Sequence, residues 1–212
     1  MSGHPLEEDE ERLRRNVTAR ISDFNVDEES GEAGVIDGST QIIGGIITKK
    51  TVKTTKNGKA MIILQLEDMT DSLEVLLFPK DAENYRDKVE EGTRVFIQGR
   101  VSLGEEVKGK LICEQVLPFD EIGRDLWILY QDPESYQEDE RRLLKLLSGE
   151  PATVAIRSTR QIKKLPGVAG RELTDDVIRA VTETYGSDKI AVREKKVEDC
   201  LKKSYNSSHK FF

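Results

Sequence analysis

Five lysines, Lys49, Lys50, Lys53, Lys56 and Lys59, lie within Thr48–Lys59 with no acid among them. Ammonium groups at that density suit a phosphate backbone, because each contact releases condensed counterions. They equally suit solvation of a mobile hairpin. Met61 and Ile63 follow directly, and Arg100, Lys108 and Lys110 make a sparser basic stretch interrupted by Glu105 and Glu106. Chemistry of other kinds has little to stand on. The two histidines, His4 and His209, sit near opposite termini, and the two cysteines, Cys113 and Cys200, are too few for a Cys/His zinc site. Glu67-Asp68 with Asp71 could hold a divalent ion but reads as an exposed turn between strands. Cys113 falls in an apolar strand and reads as inert core. No phosphate-binding glycine loop or dinucleotide fingerprint is present. No catalytic and no metal-ligating residue is therefore expected.

The elements that must position the lysines begin at Gln41. Ile42, Ile43, Ile46 and Ile47 surround Gly44-Gly45, and paired glycines inside a strand predict a bulge or sharp bend. Asn57-Gly58 marks a turn. Lys59–Leu66 alternates, with Ile62, Leu64 and Leu66 on one face and Met61, Ile63 and Gln65 on the other. Ser72–Phe78 is a third strand, whose outward face offers Glu74 and Leu76. Pro79–Val89 has helical spacing, and Thr93–Leu103 and Gly109–Val116 are two further strands. A bent first strand with a helix between strands three and four is the layout of the OB fold, a five-stranded Greek-key barrel, although another small β-barrel or sandwich shares that order. In an OB fold the lysine cluster occupies the loop between strands one and two, and Ser102–Lys110 the loop between strands four and five. These are the two loops that grip oligonucleotides. Few aromatic rings are available for base stacking, so weak, sequence-tolerant and salt-sensitive binding is expected. Phe78 and Phe96 serve the core as readily as a ligand.

Residues 120–124 read as a short linker. Beyond it lie a strand at Leu126–Tyr130, a helix capped by Asp132-Pro133, strands at Ala152–Arg157 and Arg160–Leu165, a helix capped by Thr174, and a strand at Ile190–Arg193. That β-α-β-β-α-β order predicts a small ferredoxin-like α+β domain. The expected organisation is an extended linker over 1–40, an OB domain over 41–119, the α+β domain over 120–195 and a disordered tail over 196–212.

The chain has 212 residues and a formal charge of −7. Residues 1–40 carry 4 basic against 11 acidic residues, while 41–119 carry 12 against 12 and 120–212 carry 17 against 17. All the excess acid is N-terminal, so local clustering decides what the remainder attracts. No apolar run approaches the ~20 residues of a membrane helix and no secretory signal is visible. A reducing, cytoplasmic location is expected from the cysteine usage.

Three stretches carry a family resemblance: Ser2-Gly3-His4-Pro5-Leu6, Leu66–Pro79 with its Leu-Glu-Asp-Met-Thr start and Phe78-Pro79 end, and Gly92–Ser102. In this order the chain resembles the C-terminal portion of the alpha subunit of bacterial DNA polymerase III. The resemblance implies an OB domain that meets single-stranded template DNA and a C-terminal domain that docks on the tau subunit of the clamp loader. It also implies that the rest of the polymerase chain, which uses magnesium, lies elsewhere. Nothing here matches the catalytic aspartates, so no cofactor is expected in this non-catalytic piece, and Met1 directly before Ser2 suggests a fragment. Gln115–Phe119 is faintly similar to the clamp-binding pentapeptide, but Pro118 departs from it and strand five explains the segment better. Asp71 stands where the family usually has Gly. The anticodon-binding OB module of aspartyl-type tRNA synthetases shares part of the signature. An RNA-binding module and a protein-only scaffold therefore remain open beside the DNA reading.

Overall fold

The structure, a computed structural model, describes residues 5–104, 107–169 and 171–201. Expectations resting on Ser2 to His4, on Glu105 and Glu106, or on the tail from Lys202 to Phe212 lie outside the described residues. The chain divides into two compact units, one reaching Glu121 and taking up the chain again from Lys196, the other spanning Ile122–Lys195.

The first unit is built on five strands: β1 (Thr40–Thr54), β2 (Ala60–Glu67), β3 (Ser72–Leu77), β4 (Arg94–Ser102) and β5 (Lys110–Pro118). They close a barrel in the order β1-β2-β3-β5-β4, the OB arrangement. One long strand serves two neighbours. Thr40–Ile46 pairs with β4, and Ile46–Thr54 pairs with β2. The glycine pair makes that crossing possible, because a Cβ on Gly45 would stand 2.3 Å from the Glu67 carbonyl oxygen. Ile62, Leu64, Leu66, Leu73, Val75, Leu77 and Leu111 fill the barrel. Each fully buried aliphatic side chain contributes about 1.5–3 kcal/mol. Between β3 and β4 runs α2 (Pro79–Tyr85), which buries Ala82 and gives way to a short 3-10 turn before buried Val89.

The expectation of an extended linker over 1–40 needs correction. α1 (Glu10–Asn16) places Leu13 over Gly44 and Phe96, and Leu6, Ile21 and Phe24 are fully buried. Phe96 points away from the barrel interior, stacking on Phe119 with ring centroids 4.6 Å apart. Asp9, itself buried, is neutralised by Arg12 and by Arg94 at 2.7 Å. Thr18 exchanges hydrogen bonds with Ile42. An acid-rich segment folds here because its few apolar residues and its buried carboxylate find partners on strands far along the chain. The first part of the expected tail is also ordered: residues 197–201 form a helical turn that buries Val197 and Leu201, and the Val197 amide donates to Asn16 Oδ1 at 3.1 Å.

The second unit follows the expected element order: β6 (Arg124–Tyr130), α3 (Pro133–Leu147), β7 (Ala152–Ile156), β8 (Gln161–Leu165), α4 (Asp175–Tyr185) and β9 (Ile190–Glu194). Asp132 accepts from the Ser135 amide at 2.8 Å and Thr174 from the Val177 amide at 3.4 Å, so both caps form as their residue types direct. The sheet order is β8-β7-β6-β9, with β6 and β7 adjacent and parallel. This is an α+β arrangement, but a ferredoxin-like sheet would insert β8 between them. A central strand is buried, and β8 carries Gln161, Lys163 and Lys164, all exposed, so it takes an edge.

Candidate nucleic-acid interface

In antiparallel pairs, residues directly opposite share a face, and the register therefore sorts the candidates. Lys49 pairs with Gln65, Thr51 with Ile63 and Lys53 with Met61. Ile63 in turn pairs with Leu76, Leu76 with Ile112, and Ile112 with Arg100. An outward row Thr51–Ile63–Leu76–Ile112–Arg100 thus crosses all five strands, roughly 19 Å at about 4.8 Å per step. Ile63, Leu76 and Ile112 are half-buried, as is Met61 one row away. The result is a shallow apolar strip bordered by Lys49, Lys53 and Arg100, with Lys56 in the adjoining turn. These four cations have no ion-pair partner among the described residues.

Lys50 does not join them. It has the opposite parity and turns toward α2, where its Nζ lies 2.6 Å from Glu90 and donates to the Arg86 carbonyl at 2.9 Å. Its own amide donates to Glu91. With Lys59, Val52, Ile62 and Arg86 it lines a hollow of about 800 Å³ between the β1–β2 hairpin and α2. The lysine cluster therefore splits across two sides of one ribbon.

The cations of the loop between β4 and β5, expected to grip as well, are also engaged. Lys108 pairs with Asp71 at 2.6 Å and Lys110 with Glu74 at 3.3 Å, so both are largely neutralised. The Lys108 ammonium, followed by the Asn25 amide, holds the Asp71 carboxyl down at about 2. Asp68 closes its turn by accepting from the Thr70 and Asp71 amides, and its second oxygen accepts from the Ile21 amide at 3.0 Å. The acidic turn is a structural clasp. Among the described residues no group of carboxylates, histidines and cysteines is placed to hold a metal. Asp71 needs no glycine-like backbone, since the non-glycine residues with positive φ are Ser148 and Arg160. Burial pushes the Cys113 thiol up, consistent with an inert core residue. Gln115 and Val116 are buried in β5, which accounts for the segment similar to a clamp-binding peptide.

Sequence reasoning left Ile112 out of the site. Its signal was present in the alternation of Lys110, Ile112 and Glu114 with buried Leu111 and Cys113. Phe96 is buried, and exposed Phe78 lies two residues past Leu76, beyond the end of β3, so the row itself contains no aromatic ring.

Residues 41–118 match the family of OB-fold nucleic acid binding domains. The chain is similar to the DNA polymerase III subunit alpha of Aquifex aeolicus (strain VF5), 29% identical over 127 residues, which is 59% of this chain and 10% of that protein. It is likewise similar to the DNA polymerase III subunit alpha of Streptococcus pyogenes, 26% identical over 156 residues, 74% of this chain and 13% of that protein. The chain thus spans about a tenth of the length of these relatives. Among solved structures, a mitochondrial single-stranded DNA binding protein from S. cerevisiae aligns at 16% identity with a TM-score of 0.34, covering 39% of this chain and 97% of that one. No helix among the described residues is long and apolar enough to cross a membrane.

Proposed function

We propose that the barrel unit binds single-stranded DNA across the outer faces of β1, β2, β3, β5 and β4, as a non-catalytic part of a replicative polymerase alpha subunit. The observation that carries this is the outward row Thr51–Ile63–Leu76–Ile112–Arg100, with its apolar centre flanked by Lys49 and Lys53, which have no ion-pair partner among the described residues, on a barrel that matches a nucleic-acid-binding family. Apolar side chains of this size give bases a surface to lie on without reading their edges, and the cations at its border hold phosphates. In this reading Lys49, Lys53, Lys56 and Arg100 contact phosphate, and Met61, Ile63, Leu76 and Ile112 contact bases. Lys50, Lys59, Lys108 and Lys110 shape the site rather than grip the strand.

The resemblance to polymerase alpha subunits supports assigning the Ile122–Lys195 unit to docking on the tau subunit of the clamp loader. The apolar residues Val177, Ile178, Val181 and Tyr185 of α4 pack toward that unit's own core. Leu129 and Ile162 instead flank Ala155 on the sheet face away from the helices, and they are the better docking candidates.

The test is fluorescence anisotropy with a labelled oligothymidylate at low and moderate salt, with a tRNA and a duplex as competitors. Affinity for the single strand that falls steeply with salt is expected. Tight tRNA binding with no single-stranded DNA binding would move the assignment to RNA. Absence of both, with capture of tau intact, would leave a protein scaffold.

A further inference from the structure

Leu73, Val75 and Leu77 of β3 are buried in the barrel, so Leu76 and, two residues on, Phe78 fall on the outward face. The backbone at Phe78 is still extended (φ −70°, ψ 165°), and the alternation therefore reaches it before α2 begins. Pro79 then fixes its own φ through its ring. The Ala82 amide donates to the Phe78 carbonyl at 2.7 Å, and the Ala82 side chain is buried. A paired strand on one side and an anchored helix on the other thus hold the residue in place. Its ring is nevertheless 44% exposed. Among the described aromatic residues of the first unit, Phe24, Phe96 and Phe119 are buried and Tyr85 packs against the barrel core. Phe78 alone of these turns a large part of its ring to solvent.

The register says what stands beside that ring. β2 and β3 pair Ile63 with Leu76 and Ile62 with Leu77, and the next step sets Met61 opposite Phe78. Met61 pairs on its other side with Lys53. A second outward row, Lys53–Met61–Phe78, therefore runs beside the row through Thr51, Ile63 and Leu76, on the side nearer the β1–β2 turn. Residues facing each other in such a ladder have Cβ atoms about 4.5–5.5 Å apart. Phe78 follows Leu76 by two strand rises, about 6.7 Å. Met61 is half-buried, and Lys53 is exposed with no ion-pair partner among the described residues. A rigid aromatic ring, an apolar neighbour and an uncommitted cation are thus lined up across three strands.

Resting on the single-stranded DNA reading above, we infer that Phe78 is a base-stacking platform. One nucleobase lies on its ring beside Met61, and the phosphate of that nucleotide meets Lys53. Stacking on an aromatic face suits every base, and neither Phe78 nor Met61 offers a hydrogen-bond donor to read a base edge, so the subsite tolerates any sequence. It supplies the aromatic contact that the Thr51–Ile63–Leu76–Ile112–Arg100 row lacks, and it extends the path of the strand toward the β1–β2 turn. A base on Phe78 and a base on Leu76 occupy separate positions, because the two side chains are two residues apart on one strand.

The experiment compares the full chain with Phe78→Leu and Phe78→Trp, using oligothymidylate as the probe. Phe78→Leu keeps an apolar side chain and loses the ring. It should weaken binding about five- to tenfold, with an unchanged salt slope because no charge is removed. Phe78→Trp should restore the affinity of the unaltered chain. Its added indole should also be quenched as the oligonucleotide saturates, with no comparable change in the unaltered chain, whose one tryptophan is Trp127 in the second unit. That quench is a signal a purely structural role would not give, and it decides the matter if Phe78→Leu lowers the thermal unfolding midpoint as well as the affinity. Unchanged affinity in Phe78→Leu, or an indole at position 78 that DNA leaves unquenched while it binds, would overturn the inference alone. No binding by the unaltered chain at low salt would overturn the DNA reading and the inference together.

Discussion

The division of the lysines can be tested by salt dependence. Four cations lie in or beside this row and have no ion-pair partner among the described residues: Lys49, Lys53 and Arg100, with Lys56 in the adjoining turn. Lys50 and Lys108 are held by Glu90 and Asp71. Each single-strand phosphate contact contributes about −0.7 to the slope of log affinity against log salt. Four contacts give a slope near −2.8, so raising salt from ~50 to ~200 mM should weaken binding about 50-fold. The double variant Lys49→Gln, Lys53→Gln removes two contacts and should flatten the slope to about −1.4, leaving about a sevenfold loss over the same range. Lys50→Gln with Lys108→Gln removes the same formal charge, yet the slope should stay close to −2.8. Anisotropy titrations at four or five salt concentrations give the slopes directly. If Lys50 and Lys108 flatten the slope as much as Lys49 and Lys53 do, net charge rather than facial placement governs binding, and the assignment of this face is wrong.

Other consequences are separable from that one. Leu76→Ala should weaken single-strand binding about fivefold at every salt concentration with an unchanged slope, because ~40 Å² of apolar contact is lost and no charge is. Gly99→Ala should destabilise the barrel unit by about 2–3 kcal/mol in urea unfolding, since its Cβ would stand 2.3 Å from the Ile112 carbonyl oxygen; an unchanged midpoint would contradict the close strand approach. Asp71 has a lowered pKa of about 2, so its contribution to stability is present above about pH 4 and is lost as pH falls toward 2. Asp71→Asn should remove that part of the acid sensitivity while lowering stability at neutral pH, both readable by thermal melts across the range.

Much of the barrel was legible because strand chemistry is local. Ile62, Leu64 and Leu66 alternate with Met61, Ile63 and Gln65, and that alternation alone assigns inside and outside. The bend at Gly44-Gly45 and the caps at Asp132 and Thr174 are equally local, and all three form. What escaped depends on partners distant in sequence. The N-terminal segment has the composition of a linker, yet Leu13 meets Phe96, Asp9 meets Arg94, and Phe24 enters the core. No local pattern reveals such pairings. The second sheet shows the same limit: helix and strand order were readable, but whether β8 sits beside β7 at an edge or between β6 and β7 depends on which strand can be buried. The exposed lysines of β8 decide that. The lysine cluster failed as a unit for a simpler reason. Lys49 and Lys50 are neighbours in sequence but opposite in a strand, and their fates diverge accordingly.

The most direct measurement is a map of backbone amide shifts in the isotopically labelled chain on titration with a short oligothymidylate at low salt. The largest changes are expected at Lys49, Thr51, Lys53, Ile63, Leu76, Ile112 and Arg100, with little at Lys50, Ala82, Arg86 and Glu90. Changes centred on the hollow beside α2, with the outer row undisturbed, would place the ligand on the wrong side of the barrel and contradict the proposed interface.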